Sequence, residues 1–184
     1  MGEPGTQDIV RLEDLEASRQ LTGRKHILSL LVENRPGVLA RIAGLFSRRG
    51  FNIDTLAVGP TEDPDISRIT ITLDGAVHPI DQVTKQLHKL VNVIKIRDME
   101  PGSTTTREMA LFRVTASIEN RSEILQFAEI YEGRVVDVSR RSLTIEVTGS
   151  QEKIDSFEAM IRPHGLIEMA RTGEVAITKS RPEH

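Results

Sequence analysis

Asn34, Pro36 and Gly37 fall in the stretch Glu33-Asn34-Arg35-Pro36-Gly37-Val38-Leu39, which leads an apolar run directly into a helical pattern. These residue types suit the capture of a small zwitterion. The first turn of a helix has N–H groups without intrahelical partners, here those of Gly37, Val38 and Leu39, at the positive end of the helix dipole. A carboxylate docks there without needing a charged side chain. Gly37 lets a ligand approach the backbone closely. Asn34 offers an amide oxygen to an ammonium group, and Asn52, just after the helical pattern, offers a second. A free α-amino acid matches all of these features. A plain capped helix also matches them, with Asn34 as a turn residue and Gly37 for tight packing. The pattern by itself leaves both readings open.

Catalytic chemistry is harder to find. Among 184 residues there is no Cys, which excludes a thiolate nucleophile, Cys-ligated zinc and an iron–sulfur site. His26, His78, His88, His164 and His184 form neither HxxxH nor HExxH, and no metal site is expected. GxSxG, Walker A and GxGxxG are absent. The acidic run Glu62-Asp63-Asp65 could coordinate a divalent cation, but a solvated loop explains it more simply. The net charge is −3, from 24 basic and 27 acidic residues, so a non-specific grip on phosphate backbones is not expected. Aromatics are 3%, too few to build stacking platforms for bases. No apolar run approaches the ~20 residues of a membrane span. Residues 1–24 lack a signal-peptide core and are too acidic for a transit peptide. The expectation is a cytoplasmic protein with neither nucleic-acid nor membrane partners.

The elements that must position these groups repeat one order twice. Residues 26–32 form an apolar run suited to a buried strand. Pro36 suits a first helical turn, and Val38, Leu39, Ile42, Leu45 and Phe46 then line one helix face, which Gly50 ends. Residues 51–58 read as a second strand and 59–65 as a turn-rich loop. Ile69, Ile71 and Leu73 alternate with Arg68, Thr70 and Thr72, the mark of a half-buried strand. Pro79 opens a second helix carrying Ile80, Val83, Leu87 and Leu90, and residues 91–96 supply a fourth strand. Residues 99–108 read as the linker region. Beyond it come a strand (109–117), a helix (121–132) stopped by Gly133, strands at 134–138 and 143–148, a helix (151–162) and a last strand or hairpin (166–177). The fold class is α+β, two ferredoxin-like βαββαβ units in tandem. Both helices of a unit must cover one sheet face, because the crossover hand is fixed. The other face stays half-open, with Leu30, Ile69 or Ile71 expected there to invite another sheet or subunit.

Residues 26–50 (HILSLLVENRPGVLARIAGLFSRRG) resemble the start of an ACT domain, a ferredoxin-like module that binds amino acids. The ungapped RRGFNIDTLAVGPTEDPDISRITI, followed by KQLHKLVNVIKI, is similar to the small regulatory subunits of acetolactate synthase (acetohydroxyacid synthase). A looser likeness continues through EIYEGRVVDVS and EMARTGEVAI. The resemblance divides the chain into an extension (1–24) of no assigned role, an ACT domain (25–100), a linker (101–107), a C-terminal ACT-like domain (108–178) and a tail (179–184). It implies a non-catalytic subunit that activates a separate large subunit and confers feedback inhibition, typically by L-valine. Thiamine diphosphate, magnesium and FAD would belong to that large subunit, with no cofactor in this chain. It also implies a homodimer through ACT domains. Asn34, Pro36, Gly37, Val38 and Leu39 of one copy would face Asn52 and Ile53 of the other, with the valine side chain against Val38, Leu39 or Ile53. The large-subunit contact is expected partly on the loop 59–68, whose fold role reads as only a turn, and on the strand after it. An ACT sensor that serves another enzyme or acts alone is the alternative.

Overall fold

The computed structural model describes residues 25–74 and 80–180. Pro79 and residues 1–24 lie outside the described residues. The first unit contains β1 (Lys25–Glu33), α1 (Val38–Arg49), β2 (Thr55–Pro60), β3 (Ile66–Asp74), α2 (Ile80–Leu87) and β4 (Val93–Asp98). Its sheet order is β2-β3-β1-β4, antiparallel throughout. The second unit contains β5 (Thr104–Thr115), α3 (Arg121–Ile130), β6 (Arg134–Val138), β7 (Ser142–Gly149), α4 (Gln151–Ile161), β8 (Leu166–Arg171) and β9 (Val175–Thr178). Its order is β6-β7-β5-β8, with β9 also on β5. Two ferredoxin-like βαββαβ units result.

Each unit buries its own core. Leu28, Leu30 and Val32 of β1 and Ile69, Ile71 and Leu73 of β3 pack against Val38, Ile42 and Phe46 of α1 and Val83 and Leu87 of α2. Phe112 and Phe157 are the aromatic centre of the second core, in edge contact at 5.1 Å. The period-2 pattern of β3 therefore aims its aliphatic residues at the helices. Leu30, Ile69 and Ile71 do not lie on the open face as expected. That face carries Ser29, Thr70 and Thr72 instead, and all three are buried. Small hydroxyls tolerate close packing by another backbone, and the chain supplies that cover itself.

The cover comes from the segment expected as a linker. Thr104–Arg107 forms the first third of β5 and pairs with β9, while Pro101–Ser103 makes a single 3-10 turn. Met99 and Thr104 are buried. Arg97 Nη1 donates to Thr178 Oγ1 at 2.7 Å, tying β4 to β9. The carboxy-terminal element is neither a single strand nor a hairpin. β8 and β9 pair end to end along the same strand, β8 with 110–114 and β9 with 104–107. Residues 172–174 break them apart.

Other boundaries move for local reasons. The second strand begins at Thr55, not at 51, because Phe51 N–H still serves the helix end by donating to Phe46 O at 2.9 Å. Phe51 and Ile53 pack onto the core from this stretch. The helix α3 ends before Gly133, and Glu132 carries the positive φ of +52°.

Candidate functional site

The Asn34–Leu39 stretch folds as a turn set against a helix end. Val38 N–H reaches Arg35 O at 3.4 Å, closing a turn with Pro36 and Gly37 at its centre. Gly37 has φ +85° and ψ −9°, the third-position geometry of a type II turn, which a side chain would strain. Pro36 fits the second position because its ring fixes φ near −65°. It therefore precedes the helix, whose N-cap is Gly37, and does not open its first turn.

The consequence is a bare helix N-terminus. No side chain among the described residues caps α1, and its first turn holds no acidic residue. Arg41 N–H donates to Gly37 O at 3.0 Å, the first bond of the helix. Among the described residues, the N–H groups of Gly37, Leu39 and Ala40 have no acceptor. Val38 N–H is the one partly engaged, so the expected trio shifts by one member. The space beside Gly37 is open among the described residues, none of which comes within 4 Å of where a Cβ would stand. Val38 is buried and Leu39 is 41% exposed beside this space.

Asn34 is held from across the sheet. Its N–H donates to Asp65 O at 2.8 Å and its Nδ2 to Pro64 O at 2.8 Å. Both bonds leave Oδ1 as a fixed acceptor with no hydrogen bond among the described residues. The loop 61–65 is itself closed by Thr61 and Asp63. Asp63 N–H donates to Thr61 Oγ1 at 3.1 Å, and Asp65 N–H donates to Asp63 Oδ1 at 2.9 Å. The loop thus clamps Asn34, a fold role beyond the simple turn read from sequence. Asp63 spends a carboxylate oxygen on that closure, and no cluster of three metal-ligating side chains exists among the described residues.

Asn52 and Ile53 stand at the other end of α1. The helix has 12 residues, so its ends are roughly 18 Å apart. Asn52 Nδ2 donates to Asp54 Oδ1 at 3.3 Å, and its own Oδ1 also has no hydrogen bond among the described residues. One chain therefore gathers Asn34, Pro36, Gly37, Val38 and Leu39, but it does not bring Asn52 and Ile53 to them.

Two supporting groups escaped the sequence reading. Asn92 Nδ2 donates to Glu33 Oε2 at 2.6 Å, and Arg41 Nη1 donates to Asn92 Oδ1 at 2.8 Å. They fasten the end of β1, next to Asn34, to the approach of β4. Sequence separations of 59 and 51 residues gave no local signal.

An antiparallel β2-β3-β1-β4 sheet, two helices on one face and a bare helix N-terminus after β1 define an ACT-type module followed by a related second unit. A family model for the AHAS small subunit-like ACT domain matches residues 28–95, and one for the small subunit of acetolactate synthase matches residues 107–180. A probable acetolactate synthase small subunit of Methanothermobacter thermautotrophicus is 52% identical over 155 residues, covering 84% of this chain and 92% of the relative. The acetolactate synthase small subunit of Mycolicibacterium smegmatis is 48% identical over 154 residues, covering 84% and 91%. The crystal structure of the acetolactate synthase small subunit from Thermotoga maritima aligns with a TM-score of 0.80 at 41% identity, over 86% of this chain and 99% of that one. The chain belongs to the family of acetolactate synthase small, regulatory subunits.

Proposed function

We propose that this chain activates a separate catalytic acetolactate synthase subunit and makes it sensitive to a branched-chain amino acid, L-valine above all. The observation that carries the effector reading is the αL turn at Gly37. It leaves three backbone N–H groups bare beside open space, with Asn34 Oδ1 fixed nearby. The valine carboxylate sits on the N–H groups of the helix end and its ammonium on amide oxygens, with the side chain against Leu39 and the partner copy's Ile53. Asn52 and Ile53 lie too far along α1 to serve their own chain's site, so the reading requires a homodimer through ACT domains and two sites per dimer. The outer edge of β2, whose only strand partner among the described residues is β3, is the natural seam.

The catalytic partner carries thiamine diphosphate, magnesium and FAD, while this chain binds only the effector and works in the cytoplasm. Inhibition requires that valine bind one arrangement of the dimer better than another. A coupling of about 1–3 kcal/mol corresponds to roughly 5–150-fold inhibition. Calorimetric titration with L-valine, with D-valine, leucine and isoleucine as controls, tests the site. Stereoselective binding near one equivalent per chain supports it. Assay of the catalytic subunit with and without this chain tests activation, and an unchanged rate would overturn that half of the reading.

A further inference from the structure

Where the second unit covers the first, the packing is incomplete and leaves a groove of about 310 Å³ between β2–β3 and the β5–β9 pair. Its walls are largely aliphatic. Val58, Val175 and Ile177 are 48%, 53% and 60% exposed, and Pro60 stands beside them. Such a cluster is costly to leave in water. Two guanidinium groups line the same groove. Arg68 Nη1 donates to Ser29 Oγ at 3.0 Å, and Arg107 Nη1 donates to Thr106 O at 2.7 Å. Neither has a carboxylate partner among the described residues. Other arginines of the second sheet do, as in Arg113–Glu168, Arg134–Glu146 and Arg171–Glu108.

We propose that this groove docks an apolar segment of the catalytic subunit that carries a carboxylate, the aliphatic side chains meeting Val58, Val175 and Ile177 and the carboxylate meeting Arg68 and Arg107. The proposal rests on the functional reading above and names the surface through which the partner is held. Charge decides the occupant. A second copy of this chain placed patch on patch would bring four guanidinium groups together, and like charges disfavour that pairing. An acidic, apolar partner satisfies both halves of the surface, and guanidinium forks match carboxylates bidentately. The aliphatic rims extend outside the groove, so the occupant is a chain segment and not a small anion held wholly within it. Docking on the sheet face also leaves the backbone edge of β2 free for the second copy.

The test uses the full chain and its catalytic subunit. Arg107→Glu and the pair Val175→Asp/Ile177→Asp alter exposed side chains, and circular dichroism checks their folding. Complex formation is measured by analytical ultracentrifugation and activation by rate. L-valine titration and the mass of the isolated chain serve as controls. Both variants should weaken the complex by roughly 30-fold or more, as at an interface hot spot, with isolated mass and valine binding unchanged. A wild-type chain that binds and activates, with variants that do the same, overturns the groove alone. Variants that turn an isolated dimer into a monomer overturn it also, by assigning the groove to a second copy. A wild-type chain that neither binds nor activates the catalytic subunit overturns the functional reading, and the groove proposal with it.

Discussion

Gly173 lies against Thr55: a Cβ at Gly173 would stand 3.0 Å from the Thr55 Cβ. Gly173 also has φ +75°, a conformation in which side chains are strained. The residue is part of the break between β8 and β9, which Thr172 fastens to the second unit. Thr172 N–H donates to Met109 O at 3.0 Å, and Thr172 Oγ1 accepts from Met109 N–H at 3.1 Å. Thr55 is held in turn, its Oγ1 donating to Thr72 Oγ1 at 2.9 Å. The contact therefore joins the second unit to the start of β2, three residues after Asn52.

Gly173→Ala should cost about 1–3 kcal/mol, from backbone strain together with the clash. A chain of this length loses roughly 2–4 °C in Tm for each kcal/mol. Thr55→Gly in the same chain should recover the part due to the clash. Thermal unfolding of the two single variants and the double variant measures that coupling. Strict additivity would leave backbone strain as the whole cause.

At the helix N-terminus, Asn34→Ala should weaken L-valine binding by roughly 10–150-fold, the range for a lost hydrogen bond to a charged group. Gly37→Asp should abolish binding, because it strains the turn and sets a carboxylate where the ligand's must go. Both variants should keep most of their activation of the catalytic subunit. Inhibition assays across a valine series check this, and full sensitivity in both variants would remove the assignment.

Glu108 is the buried member of an ion network. Arg171 donates to it from Nε at 2.9 Å and from Nη2 at 2.7 Å, and from Nη1 to Asp155 Oδ1 at 2.7 Å. The hydrogen bonds that Arg171 donates to Glu108 raise its pKa well above the ordinary value, so the guanidinium stays charged. Glu108→Gln leaves that charge with Asp155 as its main partner. The expected loss is about 1–3 kcal/mol, less than for a buried charge left wholly unpaired, because Asp155 still holds the guanidinium. Urea unfolding gives the value, and a loss under a few tenths of a kcal/mol would show the network to be dispensable.

Glu174 is buried beside Thr106, Glu108, Glu152 and Lys25. Burial, aided by the two neighbouring carboxylates, raises its pKa above the usual carboxylate value, against the pull of the Thr106 hydrogen bond and Lys25. The folded state then holds a proton that the unfolded chain has already released. Glu174 consequently costs stability as pH rises from the ordinary carboxylate pKa of 4.5 through its own higher value, and costs nothing extra in more acid solution. Glu174→Gln should match the wild type at low pH and exceed it near neutrality. Chemical denaturation at several pH values follows the difference, and parallel curves at every pH would contradict it.

The two βαββαβ units were legible because their causes are local. Alternation in residues 68–73 can form only a one-sided strand, and the spacing of Val38, Ile42, Leu45 and Phe46 can form only a one-sided helix. The turn at Asn34–Gly37 is equally local in cause, since Pro followed by Gly selects its geometry before any packing occurs, yet the sequence pattern alone places Pro36 in the first turn of the helix. Periodicity did not reveal which way β3 faces. Aliphatic residues went to the helices because two helix stripes demanded them, and the hydroxyl face was then left for β5 and β9. Residues 104–107 follow Pro101, Gly102 and Ser103 and looked like part of a linker, because such residues, like Thr, mark loops as readily as edges. They became strand only when β9, some seventy positions later, supplied hydrogen-bond partners. The clamp on Asn34, the Gly173–Thr55 contact and the arginine groove share that origin. Each joins residues far apart in the chain, so no short window of sequence contains both halves. Local chemistry set the elements and the turn, while tertiary packing decided which faces meet and which charges remain unpaired.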